Sequence, residues 1–411
     1  MGEEVLYVQF NQDYSSLAVG TGGEWTLVSL TSLEALDRIH EASAPDGVQI
    51  VERLFSSSLV AIVSLKSPRK LRVCHFKKGN EICNYSYQNT ILGVRLNRAR
   101  LVVCLENMLY IHNIRDMKIL HTIRDTPLNE KGILALSINA DNSFLAYPGS
   151  SSTGQVQVFD AFNLQAKIVI HAHASSLAAL AFNLNGTLLA TASSKGTVIR
   201  VFSTTDGSRL FEFRRGMKRR ADIYSISFSP DNSFLAMSSN TETVHVFRLE
   251  SANQSNEVKE ELASPAASWM EWVKSSLPTQ VTEVWAQGRS FATITTPFVE
   301  TRSVVAVITV TEADGPKTRV IVGSYDGFLY VYGLNTQEGG ECQLLKQYKL
   351  TGTGSDAKKC PSSSGPAGTA SYAGVVKGHF SQSMSDSDKM LEMKNAIDQA
   401  GSSEKDFPTL E

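Results

Sequence analysis

Between residues 5 and 350 the chain alternates apolar and polar positions in short runs, and Asn, Asp, Gly and Ser separate the runs. Strict alternation over such lengths predicts half-buried β-strands, and the small polar clusters between them predict tight turns. Three segments superimpose on one another: Ser137-Ile-Asn-Ala-Asp-Asn-Ser-Phe-Leu-Ala-Tyr, Ala181-Phe-Asn-Leu-Asn-Gly-Thr-Leu-Leu-Ala-Thr and Ser227-Phe-Ser-Pro-Asp-Asn-Ser-Phe-Leu-Ala-Met. They recur at steps of 44 and 46 residues. A fourth copy, Gln9-Phe-Asn-Gln-Asp-Tyr-Ser-Ser-Leu-Ala-Val, opens the chain. Each copy predicts a strand, a turn and a second strand entered at Leu-Ala. A third strand follows at Gln155–Phe159, Val198–Phe202, Val244–Phe247 and Leu329–Tyr332.

A period of ~40–45 residues with four short strands per unit predicts a β-propeller of the WD40 type. The full Gly-His…Trp-Asp signature is missing from the repeats, and the third strands end in Val-Phe or Val-Tyr instead. Unit starts fall near residues 5, 48, 90, 131, 175, 222 and 302, which gives seven blades in one all-β domain over 5–350. A β-sandwich does not sustain a period of this length. Two segments break the rhythm. Residues 250–290 form a long loop in the sixth unit, acidic at first and then reading Ser268-Trp-Met-Glu-Trp-Val-Lys-Ser-Ser-Leu. There Trp269, Trp272, Val273 and Leu277 recur at helical spacing. Residues 351–411 are rich in Ser, Gly, Lys and Asp and read as a disordered C-terminal tail with one short helix at 389–400.

Hydrophobic residues make up 42% and charged residues 19%, enough apolar content for a sizeable core. The balance of 39 Lys+Arg against 41 Asp+Glu argues against bulk attraction to nucleic acid. The five cysteines (Cys74, Cys83, Cys104, Cys342, Cys360) are unpatterned, which fits a reducing compartment and neither a disulfide framework nor a zinc site. His171 and His173, two apart in a strand, are a poor basis for a metal site, and no cofactor or metal is expected. The first residues lack a secretory pattern, and Leu6 and Tyr7 stand where a myristoylation motif wants Ser or Thr. No apolar run approaches the ~18 residues a membrane span needs, so membrane contact is expected to be peripheral. GxSxG, P-loop and HExxH motifs are absent, so no catalytic residue is proposed and an enzyme is not expected.

One stretch departs from the neutral background. From Arg209 to Arg220 six bases (Arg209, Arg214, Arg215, Lys218, Arg219, Arg220) face a single acid, Glu212. The run Leu210-Phe211-Glu212-Phe213 alternates as a strand does, so Arg214 and Arg215 are expected to leave on opposite sides and serve two pockets.

The Phe213-Arg214-Arg215-Gly216 motif in the fifth unit resembles the PROPPIN family, the β-propellers that bind polyphosphoinositides. Flanking segments carry the same resemblance: Ile50-Val-Glu-Arg-Leu-Phe-Ser-Ser-Ser-Leu-Val, Cys74-His-Phe-Lys-Lys-Gly, Glu81-Ile-Cys-Asn-Tyr-Ser-Tyr, Lys195-Gly-Thr-Val-Ile-Arg-Val-Phe and Ser239-Asn-Thr-Glu-Thr-Val-His. The resemblance covers essentially residues 5–350. It implies two headgroup sites for phosphatidylinositol 3-phosphate and phosphatidylinositol 3,5-bisphosphate. The first would combine Arg214 with His173, Thr191, Ser193, Lys195 and Thr197. The second would combine Arg215 with Ser225, Ser239, Thr241, Thr243 and His245. Guanidinium forks with hydroxyl and imidazole donors suit phosphate.

The resemblance also gives the sixth-blade loop a role in entering the membrane beside these sites, with Trp269, Met270, Trp272, Val273 and Leu277 as its inserting face. It implies a peripheral protein on forming autophagosomes and endosomes, monomeric, that recruits the coiled-coil subunit of the autophagy conjugation complex. Basic residues of blades 2 and 3 would line that docking groove, with Arg98 and Arg100 as the chosen contacts. The competing function is a WD40 protein scaffold or substrate adaptor that binds no lipid.

Overall fold

In the computed structural model, residues 4–216, 219–249, 288–312, 314–351 and 386–401 are described. The polar residue that closes each repeat's first strand shows why the hairpins form there. The Asn11 Oδ1 accepts the Ser16 N–H at 3.0 Å, the Asn183 Oδ1 accepts the Leu188 N–H at 2.9 Å, and the Ser229 Oγ accepts the Phe234 N–H at 2.9 Å. Each side chain satisfies a turn amide that the ladder leaves unpaired, which specifies where the second strand begins.

The strands assemble into seven sheets ordered around a ring, each built on four antiparallel strands taken in chain order, so the chain forms a seven-bladed β-propeller. The first strands start at Val5, Val48, Gly93, Ala135, Leu177, Ile223 and Ser303. These lie within a few residues of the starts that the sequence period sets. The expected third strands all fall in third place, within Gly154–Asp160, Val198–Ser203, Thr243–Arg248 and Phe328–Gly333. In blade 6 the outer strand, Ala292–Thr295, also carries a short parallel partner, Gly340–Glu341.

Alternation along each strand divides its apolar side chains between two neighbours. In blade 5, Leu189 and Phe202 pack against Val156, Ile170 and Ala172 of blade 4, while Ala190, Ile199, Val201 and Phe213 pack against Met237 and Phe247 of blade 6. The core is thus a series of inter-blade layers rather than one centre. The innermost strands line an axial channel of about 300 Å³.

Asp386–Gly401 is an α-helix, and the short helix expected at 389–400 lies inside it. The helix packs on blade 2, with Met393 fully buried. No helix among the described residues is long and apolar enough to cross a membrane.

Candidate functional site: two clefts flanking an arginine pair

Arg214 ends the outer strand of blade 5, Arg209–Arg214, and Arg215 and Gly216 begin the link to blade 6. Paired residues on neighbouring antiparallel strands share a face. Arg214 pairs with Val198 and Glu212 pairs with Arg200, which in turn pairs with Thr191. These positions share the parity of Leu189 and Phe202 and face blade 4. Phe211 and Phe213 instead pack towards blade 6, and Arg215 continues that side. Strand parity therefore puts Arg214 on the blade 4 side, while Arg215, in the link, turns towards the blade 6 side.

On the blade 4 side, His173 ends the strand Gln165–His173 and its Nε2 lies 2.8 Å from the Thr191 Oγ1. Burial is the main reason its pKa falls to about 4, and the nearby Arg200 guanidinium adds to the fall. Thr191 and Ser193 are buried on the same face, and Lys195 is exposed at the turn above them. The Thr197 carbonyl accepts the Arg215 N–H at 3.0 Å, which ties its backbone to the second arginine.

Sequence reasoning missed two residues here, Arg200 and Glu212. The Arg200 Nε donates to the Glu212 carboxylate at 2.6 Å, its Nη1 donates to the Ala172 carbonyl, and Arg209 shares the same carboxylate at 2.6 Å. Arg200 thereby clamps blade 5 to blade 4 beside His173. The available signal was a lone cation inside the apolar strand Val198-Ile-Arg-Val-Phe.

On the blade 6 side, Arg215 donates from Nε to the Gly196 carbonyl at 2.7 Å and from Nη2 to the Arg219 carbonyl. Its pKa is lowered by burial and by neighbouring Arg219. His245 is buried in the third strand of blade 6, and its Nδ1 lies 2.7 Å from the Ser290 Oγ. Burial first, and then Arg215, bring its pKa to about 4. Ser239 and Thr241 are linked at 2.9 Å through their hydroxyls. Ser239, Thr243 and His245 share the parity of Met237 and Phe247 and face blade 5, with Arg215.

Ser225 is the exception. A bulge between Ile223 and Ser225 resets the register so that Ser225 pairs with Ser238. Its Oγ accepts the Val305 N–H of blade 7 at 3.4 Å, and it lines the axial channel. The structure does not bring it to Arg215.

Two glycines permit the tight layout. Gly196 has φ +63°, and a Cβ there would meet the Ala221 carbonyl oxygen at 1.9 Å. The turn between the second and third strands of blade 5 is thus pressed onto the link that follows Arg215. Gly288 forms a parallel bridge with Phe213, donates to the Glu212 carbonyl at 3.2 Å and accepts the Arg214 N–H at 2.9 Å. The long sixth-blade loop therefore returns along the arginine strand. Its expected inserting residues, Trp269, Met270, Trp272, Val273 and Leu277, lie outside the described residues.

The basic residues of blades 2 and 3 do not act as one group. The Arg98 guanidinium stacks 4.4 Å from the Phe55 ring centroid of blade 2. Arg100 turns towards blade 4, donating to the Ala161 and Phe162 carbonyls at 2.7 and 3.0 Å. The two chosen docking residues thus serve different blade junctions. Arg95 is partly exposed and is paired with buried Glu52.

Among the described residues no cluster of His, Cys, Asp and Glu could hold a metal. Fold and site together define a propeller whose distinguishing chemistry is a cationic, hydroxyl-lined rim flanking blade 5, the chemistry of a binding protein. The chain belongs to the PROPPIN family, whose model matches residues 5–351. It is 54% identical to the WD repeat domain phosphoinositide-interacting protein 2 of Gallus gallus over 85% of this chain and 79% of that protein. Identity is 46% to the human WD repeat domain phosphoinositide-interacting protein 1, over 89% and 82% of the two chains. Among solved structures, the complex of KlAtg21 with the coiled-coil of AgAtg16 is 25% identical, with TM-score 0.65 over 85% of this chain and 100% of that one. These relatives are named for binding rather than for a reaction.

Proposed function

We propose that this chain is a phosphoinositide effector in autophagy. It binds phosphatidylinositol 3-phosphate and phosphatidylinositol 3,5-bisphosphate at two sites, one on each side of Phe213-Arg214-Arg215-Gly216. The observation that carries the reading is the adjacent pair of arginines, one on the strand face shared with Thr191 and the other beside His245, each near a histidine and buried hydroxyls. A guanidinium gives the charge and the fork, and the hydroxyls and imidazole add donors for the remaining phosphate oxygens. The first site uses Arg214, His173, Thr191, Ser193 and Lys195. The second uses Arg215, Ser239, Thr241, Thr243 and His245, with the Thr197 backbone on its edge.

The sixth-blade loop supplies shallow membrane insertion through Trp269, Met270, Trp272, Val273 and Leu277. The position of Gly288, where that loop ends, beside Glu212 and Arg214 supports this reading. Two weak headgroup contacts and an inserted loop reinforce one another through effective concentration. The protein thus attaches as a monomer to forming autophagosome and endosomal membranes. The relative solved with the coiled-coil of AgAtg16 supports recruitment of the coiled-coil subunit of the lipidation machinery. That subunit docks beside blades 2 and 3.

Vesicle co-sedimentation tests the lipid reading. Unmodified protein is expected to pellet with vesicles that carry 3-phosphorylated inositol lipid, and Arg214→Thr/Arg215→Thr is expected to stay in solution. Equal pelleting of both proteins would leave a lipid-independent scaffold as the better account.

A further inference from the structure

The C-terminal helix, Asp386–Gly401, lies against the outer strand of blade 2, Asn80–Ser86, and against its second strand, Leu59–Ser64. On those strands Leu59, Ala61 and Ile82 face blade 3, and Met393 and Ile397 join the apolar layer that blades 2 and 3 share. The Glu392 carboxylate pairs with the Lys78 ammonium on the adjoining turn. The helix thus enters the cleft between two blades with an acid followed by an apolar pair at i and i+4. Anchors at this spacing are how a groove reads a helix.

We propose that the chain's own C-terminal helix is a displaceable occupant of the docking cleft between blades 2 and 3, and that it must leave before an external helix can enter. The external partner that the cleft fits is a helix with the same face: an acid for Lys78, then apolar residues for the positions of Met393 and Ile397. This deepens the docking surface proposed above and rests on it for the identity of the incoming helix, while the occupancy itself rests on the helix contacts.

Several features make the contact easy to reverse. Among the described side chains of the helix, two apolar ones, Met393 and Ile397, reach into the layer, whereas Met390 and Leu391 stay about half exposed, at 51% and 57%. The ion pair has a half-exposed lysine, and such pairs add little. The second carboxylate oxygen of Glu392 is buried without a hydrogen-bond partner, which works against docking. Ordering a helix costs conformational entropy that offsets much of what so small a contact contributes. The covalent tether through residues 352–385 compensates by keeping the helix at high local concentration, on the order of millimolar for a short linker. A partner with better-matched anchors then displaces it by ordinary competition.

A labelled synthetic peptide of residues 386–401, followed by fluorescence anisotropy, tests this. The full chain carrying Met393→Asp and Ile397→Asp opens the cleft without touching the ring of blades, and a chain ending at residue 385 is the second opened form. Both are expected to bind the peptide at least about tenfold more tightly than the unmodified chain, in which the tethered helix competes. Lys78→Glu in the opened chain is expected to weaken binding, and Glu392→Lys in the peptide to restore it. Equal binding by opened and unmodified chains, or no binding by the opened ones, overturns the proposal. The assay contains neither lipid nor a second protein, so its failure leaves the lipid reading untouched. Failure of the vesicle experiment likewise leaves this one standing.

Discussion

His173 and His245 are bases that the fold keeps uncharged. Burial lowers both from the ordinary 6.5 to about 4, with an arginine assisting in each case. In the unfolded chain both take up protons as the pH falls through 6.5, while the folded chain resists until near 4. The unfolded state therefore holds more protons across that window, and stability falls as pH falls through it; above 6.5 the full stability is present. At ~1.4 kcal/mol per pKa unit, reduced for partial solvent access, each histidine costs on the order of 1–3 kcal/mol at pH 4. The thermal midpoint should drop between pH 7 and 4.5, and it should drop less in His173→Gln/His245→Gln. Coincident pH profiles for the two proteins would show that neither imidazole is suppressed. The sequence reveals both histidines through the family motif and the strand pattern. It does not reveal that Ser225 points away, because a bulge at Ile223 to Ser225 resets the alternation and no residue count shows a bulge. Arg200 and Glu212 are equally hidden, since their pairing depends on register between strands.

At the scale of elements, the hairpins are the most legible part, because each turn is specified locally by its Asn or Ser cap. The supports of the arginine strand are less so. Gly288 lies far from Phe213 in sequence, and only the folded ring brings the loop's return beside it. The same holds for Gly196, whose positive φ is readable as a turn but whose closeness to Ala221 is not. Gly196→Ala should strain the backbone and collide with that carbonyl. The expected loss is about 1–3 kcal/mol of stability, seen as a lower urea midpoint. Headgroup binding on the Arg215 side should weaken more than on the Arg214 side, because Arg215 donates to the Gly196 carbonyl. An unchanged midpoint would mean that the turn relaxes freely.

For the whole molecule, adjacent blades are bound by apolar layers and by a few buried polar links. The Tyr7 hydroxyl of blade 1 donates to Glu52 of blade 2 at 2.7 Å, and Arg95 of blade 3 pairs with the same carboxylate. Glu52 is 3% exposed, and burial raises its pKa against the pull of Arg95. Removing the cation leaves an uncompensated buried acid, so Arg95→Leu should cost roughly 3–5 kcal/mol. A thermal midpoint within a degree or two of the unmodified protein would contradict that. The period in the sequence sets the blade number, and adjacent arginines on a strand imply two faces. The direct measurement of that central claim is the stoichiometry of a soluble inositol 1,3-bisphosphate headgroup, read by titration calorimetry. The account predicts two sites on the unmodified chain, one on Arg214→Thr, one on Arg215→Thr and none on the double variant. Complete loss of binding in either single variant would show that the arginines share one site, and would contradict it.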